Sequence, residues 1–434
     1  MNEHEQEDAL SRALHHRSQD IGHEHPIALD AVRGRARRIR ARRRVAGAVV
    51  AAAVLAVVVP TSVLLAPASD HGTGPVAQPA PTVASATRSA SPSPSASASS
   101  SPSASSSASA SSSAPTALPA GVTALTTTGL TRGQDPTVWY LHGRTLTRPD
   151  GGTVTLPGVY AAITPYRGGY LASPRHSADQ QVVTLDNALH VTSTRPGSST
   201  LAISGDQMEA AYFLASPSGG PGELVSGIAS GMADLESKQP VPAGVSATPV
   251  GYTGPGSVLY TTDGVSPHAY VTDFGKAGPR EVPGMLKATG ANEQRGLIAG
   301  LTRANPDGSG CFSVLRTASM SPLWQTCDFS LGRFSVDGKY VAAGPSYLDG
   351  AGSASVAILD AGTGKPVARF QRPAGSDLFV ADTAWQDDEH LLALVHESGA
   401  WSILRLSVDG HVEAATDPVP GSADQPAFAF AATP

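Results

Sequence analysis

From about residue 119 onward the hydrophobic positions come in short bursts, rich in β-branched and aromatic residues and broken by Gly, Pro, Asn and Asp. Gln181–Leu185 (QVVTL), Ser257–Thr261 (SVLYT), Cys311–Arg316 (CFSVLR), Ser355–Leu359 (SVAIL) and Trp401–Leu406 (WSILRL) are examples. No stretch here sustains a 3.6-residue period. Short strands bounded by turn residues predict an all-β domain: a sandwich, a barrel or a propeller. The pattern upstream is different in kind. Residues 45–66, VAGAVVAAAVLAVVVPTSVLLA, carry no charge, and residues 67–118 are almost wholly Ser, Ala and Pro.

The clearest β unit is 331–372. It parses as strand, Asp337-Gly338 turn, strand, loop, strand, Gly362-Thr363-Gly364 turn, strand. Asp-Gly suits such a turn because Gly accepts the positive φ that tight hairpins demand. The grammar recurs at 383–413 and 296–328, and more weakly near 137–157, 166–195, 202–245 and 248–285. Seven copies over the outer region give a period of about 45 residues, four strands to a copy, which is a propeller spacing. The expected fold is therefore a seven-bladed β-propeller over 119–434, with six or eight blades also compatible. Ring closure removes exposed sheet edges. Val122–Thr126 or the alternating Ala427–Phe430 is expected to complete a terminal blade.

The uncharged segment 45–66 would make a helix of about 33 Å, long enough for a hydrocarbon core of about 30 Å. Arg37, Arg38, Arg40, Arg42, Arg43 and Arg44 flank its N-terminal side only. That asymmetry predicts one plasma-membrane span with residues 1–44 cytoplasmic and the propeller outside. The rival is a cleaved signal peptide, with small residues at Ala66 and Ala68 and an Arg43-Arg44 pair for twin-arginine export. Against it stand the long preceding segment and an apolar run beyond the usual length. The Ser/Ala/Pro tract cannot bury enough apolar surface to order, and reads as an extended stalk of a kind often O-glycosylated.

Charge follows the same division. Residues 1–44 hold ten Arg against seven Asp or Glu, whereas 121–434 hold 19 Lys or Arg against 28 Asp or Glu. An acidic outer domain argues against nucleic acid as its partner. The histidines of the tail (His15, His16, His23, His25) lack metal-ligand spacing.

Candidate chemistry is sparse. Cys311 and Cys327, the only cysteines, fall opposite one another in one hairpin and are expected to form a disulfide. The sequence has no G-x-S-x-G elbow, no H-E-x-x-H and no EF-hand loop. Asp387-Asp388-Glu389-His390 has the groups for a cation or for acid–base work, but it occupies a turn between two strands of one unit. Most of the Asp-Gly pairs at 150, 263, 307, 337, 349 and 409 lack the alternating ligands of calcium loops, and the pairs read as hairpin turns. Trp139, Trp324, Trp385 and Trp401 are expected between blades rather than as sugar platforms. His142, His176, His190, His268, His396 and His411 form no readable constellation. No cofactor or metal is expected.

Phe334–Ala342 (FSVDGKYVA) with Ile358–Lys365 (ILDAGTGK) resembles the repeat of TolB-like and WD40-like β-propellers. Ala384–Ala393 with Leu404–Gly410 is similar to blades of actinobacterial membrane-anchored propellers of unassigned activity. The resemblance covers about 290–415. Val336 stands where Pro is commoner, and the Gly-His and Trp-Asp dipeptides of WD40 blades are missing, which points to the looser bacterial type. The resemblance implies architecture, because propellers host many functions. The functional expectation is a non-catalytic binding or scaffolding module at the cell surface, contacting protein or cell-wall glycan. The alternatives are an extracytoplasmic lyase or hydrolase on wall glycan or peptide, and a transmembrane signal transducer using the cytoplasmic tail.

Overall fold

The computed structural model describes residues 118–175, 180–228, 236–264, 266–275, 277–347 and 352–432. The segment expected to be a cytoplasmic tail, the apolar run 45–66, the arginines Arg37 to Arg44 and all but the last residue of the expected stalk 67–118 lie outside them. Among the described residues there are thirty strands, and no helix is long and apolar enough to cross a membrane.

The strands form seven sheets. Blade two runs Tyr160–Tyr166, Gly169–Pro174, Gln181–Leu185, Val191–Pro196, and blade three Ala202–Ile203, Glu209–Leu214, Gly222–Ile228, Glu236–Val241. Blade four follows as Ala247–Gly254, Ser257–Thr262, His268–Thr272, Arg280–Glu281, and blade five as Lys287–Asn292, Leu297–Ala304, Gly310–Arg316, Ser321–Thr326. Blade six is Phe329–Phe334, Tyr340–Pro345, Ser355–Asp360, Pro366–Gln371, and blade seven Phe379–Trp385, His390–Glu397, Ala400–Ser407, Val412–Ala414. Each is an antiparallel meander whose first strand meets the first strands of its neighbours around an axis. This is a seven-bladed β-propeller.

Seven hydrophobic clusters hold it, one at each junction between neighbouring blades. The alternation of side chains along a strand explains this: each blade buries both faces, one against each neighbour. The tryptophans sit at these junctions. Trp385 of blade seven donates its indole N–H to Arg333 O of blade six at 2.9 Å, and Trp324 of blade five to Ala361 O of blade six at 2.8 Å. Trp139 meets Tyr170 of blade two edge-on, and Trp401 is fully buried between blades seven and one. Cys311 and Cys327, flanking the Phe312–Thr326 pair of blade five, are joined by a disulfide, and Arg303 Nη2 donates to Cys311 Sγ at 2.9 Å.

Blade one is assembled from both ends of the described chain. Phe428–Phe430 supplies its innermost strand, and Tyr140–His142, Thr145–Thr147 and Thr153–Thr155 supply the rest. The N-terminal segment proposed for the same role does something else. Thr123–Ala124 adds a parallel fifth strand to the outer edge of blade six. The chain then straps across blade seven, where Leu125 is fully buried, Arg132 bridges Ala414, and Arg405 Nη2 donates to Gln134 O and Asp135 O. Glu397 fastens the strap by accepting from Thr127 N–H at 2.7 Å and Thr127 Oγ1 at 2.6 Å, and it also accepts from Ser376 Oγ. Burial alone would raise the Glu397 carboxyl. The hydrogen bonds from Thr127 and Ser376 outweigh it and hold the group below its ordinary value.

One turn recurs after the first strand of blades three and six and after the third strand of blade seven. In Ser335–Tyr340 the Asp337 carboxylate accepts from Ser335 Oγ and Lys339 N–H, while Ser335 Oγ accepts from Tyr340 N–H at 3.0 Å. Ser204–Glu209 and Ser407–His411 repeat it. Neighbouring turns also clasp each other. Asn292 of blade five donates to Ser335 O and Val336 O, and Asp337 N–H donates to Asp388 of blade seven at 2.7 Å. Gly338 is needed twice over: its φ is +68°, and a Cβ there would lie 2.5 Å from Asn292 Oδ1.

Two outcomes follow for solution experiments. Gly338→Ala strains a left-handed turn and pushes off the Asn292 clasp, so it should destabilise the ring by roughly 2–4 kcal/mol, measured by denaturant unfolding. Glu397→Gln should cost roughly 1 kcal/mol at pH 6. Because the folded pKa of Glu397 is depressed, its contribution is present above the ordinary Glu value and is lost as pH falls through the folded one. The gap between variant and wild type should therefore close as the pH falls below the ordinary Glu value of about 4.3.

Candidate functional site

In an antiparallel meander the turn after the first strand and the turn after the third emerge at the same end. One face of the ring, here called lower, thus carries the Ser-x-Asp turns at 204–209, 335–340 and 407–411 and the turn at 386–390. Blade one breaks the pattern: its first and second strands come from opposite chain ends, so no turn joins them. Beside that seam, on the side of blade seven facing blade one, lies a cleft of about 350 Å³. It is lined by Glu389, His390, Arg405, Ser407, Val408, Asp409, His411 and Glu413. The sheet register explains the grouping. His390 pairs with Ser407, and Arg405 pairs with Leu392 and Glu413, so these side chains share the face that carries Leu392 into the blade seven–blade one core.

The sequence cluster Asp387-Asp388-Glu389-His390 contributes one wall, and each member has a distinct task. Asp387 accepts from the backbone N–H of Glu389 and His390 and contacts His390 Nδ1 at 2.9 Å. Burial would raise its carboxyl, but those bonds and the imidazole hold it below the usual range. Asp388 ties blade seven to blade six. Glu389 is exposed and lines the cleft.

An Asp387–His390 couple with Ser407 on the adjacent strand has the residue types of a hydrolytic triad. The hydroxyl is engaged otherwise. Ser407 Oγ donates to Asp409 and accepts from His411 N–H, as the equivalent serines do in the other turns. Asp409, exposed, is held below its ordinary value first by that Ser407 bond. Arg405, 6% exposed at its side chain, forms the floor. It pairs with Glu413, reaches Gln386 Oε1 at 3.0 Å and holds the strap, while its Nε has no hydrogen-bond partner among the described residues. Gly133 of the strap lies so close to the Glu413 carboxylate that a Cβ there would require that carboxylate to move.

The other histidines are dispersed. His142 packs on Phe428, His190 pairs with Asp186, His268 with Glu281, and His396 bonds Gly421 O between Phe379 and Trp401; His176 lies outside the described residues. Among the described histidines, His390 and His411 share one cleft. No group of three or more His, Cys, Asp or Glu among the described residues is arranged to hold a metal ion. Of the Asp-Gly pairs, those at 150, 307, 337 and 409 close hairpins with glycine at positive φ, and the pair at 349 lies outside the described residues.

The axial channel holds charge that composition does not reveal. Asp382 sits mid-strand on the innermost strand of blade seven yet is exposed, so the solvent it meets is that of the channel. A β-bulge between Val380 and Asp382 re-aims it. Enclosure raises its carboxyl, opposed by the Arg333 charge from blade six.

No family model matches this sequence, and no curated protein matches it. Among solved structures it is similar to an uncharacterized protein of Listeria monocytogenes EGD-e, at 10% identity and a TM-score of 0.43 over 68% of this chain and 87% of that one. It is similar to TolB from Acinetobacter baumannii at 14% identity and a TM-score of 0.34, covering 64% of each chain. A prolyl endopeptidase structure is similar at 13% identity and a TM-score of 0.46, with 68% of this chain covering 50% of that one. At TM-scores below 0.5 these likenesses carry no argument about activity, and the propeller assignment rests on the seven sheets themselves.

Proposed function

We propose that the propeller is a non-catalytic binding module that engages its partner, a protein or wall glycan, through the lower face. On this reading the apolar span 45–66 and the Ser/Ala/Pro stalk hold it outside the plasma membrane, in the manner of the membrane-anchored bacterial propellers it resembles. The supporting observation is the use of the reactive groups. Ser407, Asp409, Asp387 and Asp388 direct their hydrogen bonds to hairpin turns and inter-blade clasps. The same bonds make the lower face a fixed array of carboxylates beside a cleft. Met208 and Val336, among the exposed large hydrophobic residues, also lie on that face. A rigid, preordered surface suits recognition, because little freedom is lost on binding.

The test is photocrosslinking in native membranes with a benzophenone side chain placed singly at Val336 on the lower face or Val159 on the upper. The expected result is one reproducible adduct from position 336 and none from 159. Adducts from 159 alone, or turnover of wall fragments abolished by Ser407→Ala, would overturn the reading, the latter in favour of a hydrolase.

A further inference from the structure

We infer that the Cys311–Cys327 bridge is a thiol-exchange site, at which an external dithiol attacks Cys327 and reduces the pair within the folded propeller. The bridge lies at the upper face, where the second-to-third turn of blade five and the crossover into blade six emerge. Its two ends are unlike. Cys311 is wholly buried, whereas Cys327 is exposed. An incoming thiolate therefore meets the bridge at Cys327, and Cys311 is the leaving group.

The sheet register places a cation on the leaving side. Arg303, beyond a bulge at Thr302, pairs with Cys311 across the second and third strands of blade five. Its Nη2 donates to Cys311 Sγ at 2.9 Å and lies 3.7 Å from Cys327 Sγ. A sulfur in a disulfide carries no charge and accepts weakly, so the contact contributes little to the oxidised protein. It contributes most once Cys311 becomes an anion, because a neighbouring guanidinium stabilises thiolate over thiol. A stabilised thiolate also leaves faster and shifts the equilibrium toward the reduced pair.

The exchange balances. One thiolate of the dithiol bonds to Cys327 Sγ as the Cys311–Cys327 bond breaks, and that electron pair goes to Cys311 Sγ beside Arg303. The second thiol then attacks its partner sulfur, and Cys327 leaves with the electrons and takes up a proton. The dithiol, oxidised by two electrons, becomes a disulfide and gives up two protons, one to Cys327 and one to solvent. Blade five keeps its shape without the bridge. The ladder from Phe312–Thr326 to Arg316–Ser321 remains, as does the bond from Trp324 to Ala361 O.

The test equilibrates the full chain in detergent with graded ratios of reduced to oxidised dithiothreitol. Free thiols are counted by mass after acid quenching and alkylation, and circular dichroism follows the fold. Two thiols should appear with the fold intact. The ratio needed for half reduction should rise about tenfold in Arg303→Gln, as the thiolate loses its cation. Arg303→Lys should restore most of the wild-type value, and Arg316→Gln, at the lower end of the same strand, should leave it unchanged. A parallel incubation with glutathione, a monothiol, traps the first step, and peptide mapping should find the adduct on Cys327. An adduct on Cys311, or reduction only as the fold is lost, would overturn the inference. So would an Arg303→Gln midpoint equal to wild type, or an Arg303→Lys midpoint displaced as far as that of Arg303→Gln.

Discussion

Everything in this domain depends on closing a ring. A single four-stranded blade has two apolar faces and cannot bury either alone. Each of the seven cores is shared between two blades, so the ring is stable only when the last blade finds the first. The closing pair is short: Phe428–Phe430 against Tyr140–His142. Behind those three residue pairs stand two hydrophobic clusters, one toward blade seven with Val138, Ile403 and Trp401, the other toward blade two with Leu141, Leu146 and Ile163. The strap adds a second fastening on the outside, through Leu125, Glu397 and Arg405.

The same constraint explains where the functional candidates lie. On the lower face the turns at 204–209, 335–340 and 407–411 are held by Ser-x-Asp hydrogen bonding, and Asn292 and Asp388 clasp the middle one to its neighbours, which fixes a row of carboxylates. The seam is an irregular place on that face, because the two chain ends cannot make a hairpin. An internal ion pair, Arg405 with Glu413, fills the floor, and a cleft remains above it. Breaking one partner of such a buried pair usually costs more than the pair contributes, so Arg405 is a structural residue first.

Much of this was legible in the chain, for local reasons. The Ser335–Tyr340 turn is encoded within six residues, and both its Asp-Gly dipeptide and its alternating flanks are visible in one dimension. The strands around Gln181–Leu185 and Trp401–Leu406 and the placing of Cys311 opposite Cys327 follow from the same short-range grammar. The seven units were countable for that reason. What could not be read were relations between distant segments. Thr123–Ala124 and Phe428–Phe430 are both short, apolar and alternating, and nothing local tells an outer parallel strand from an innermost one. Arg405 sits in an apolar strand with no sign that it will meet Glu413 and the strap 270 residues away. His390 and His411 are 21 positions apart in sequence and share a cleft only through the register of three strands. Asp382 and Arg333 are drawn to the channel by bulges, and a bulge has no reliable sequence mark.

The central claim, that the C-terminal strand closes the ring, is tested most directly by calorimetric unfolding of the full chain beside a chain ending at Gln425. The account predicts one cooperative transition for the former. For the latter it predicts loss of that transition, or a fall of at least about 5 kcal/mol in stability, because two of the seven cores open at once. A truncated chain that unfolds cooperatively within a degree or two of the full one would contradict it.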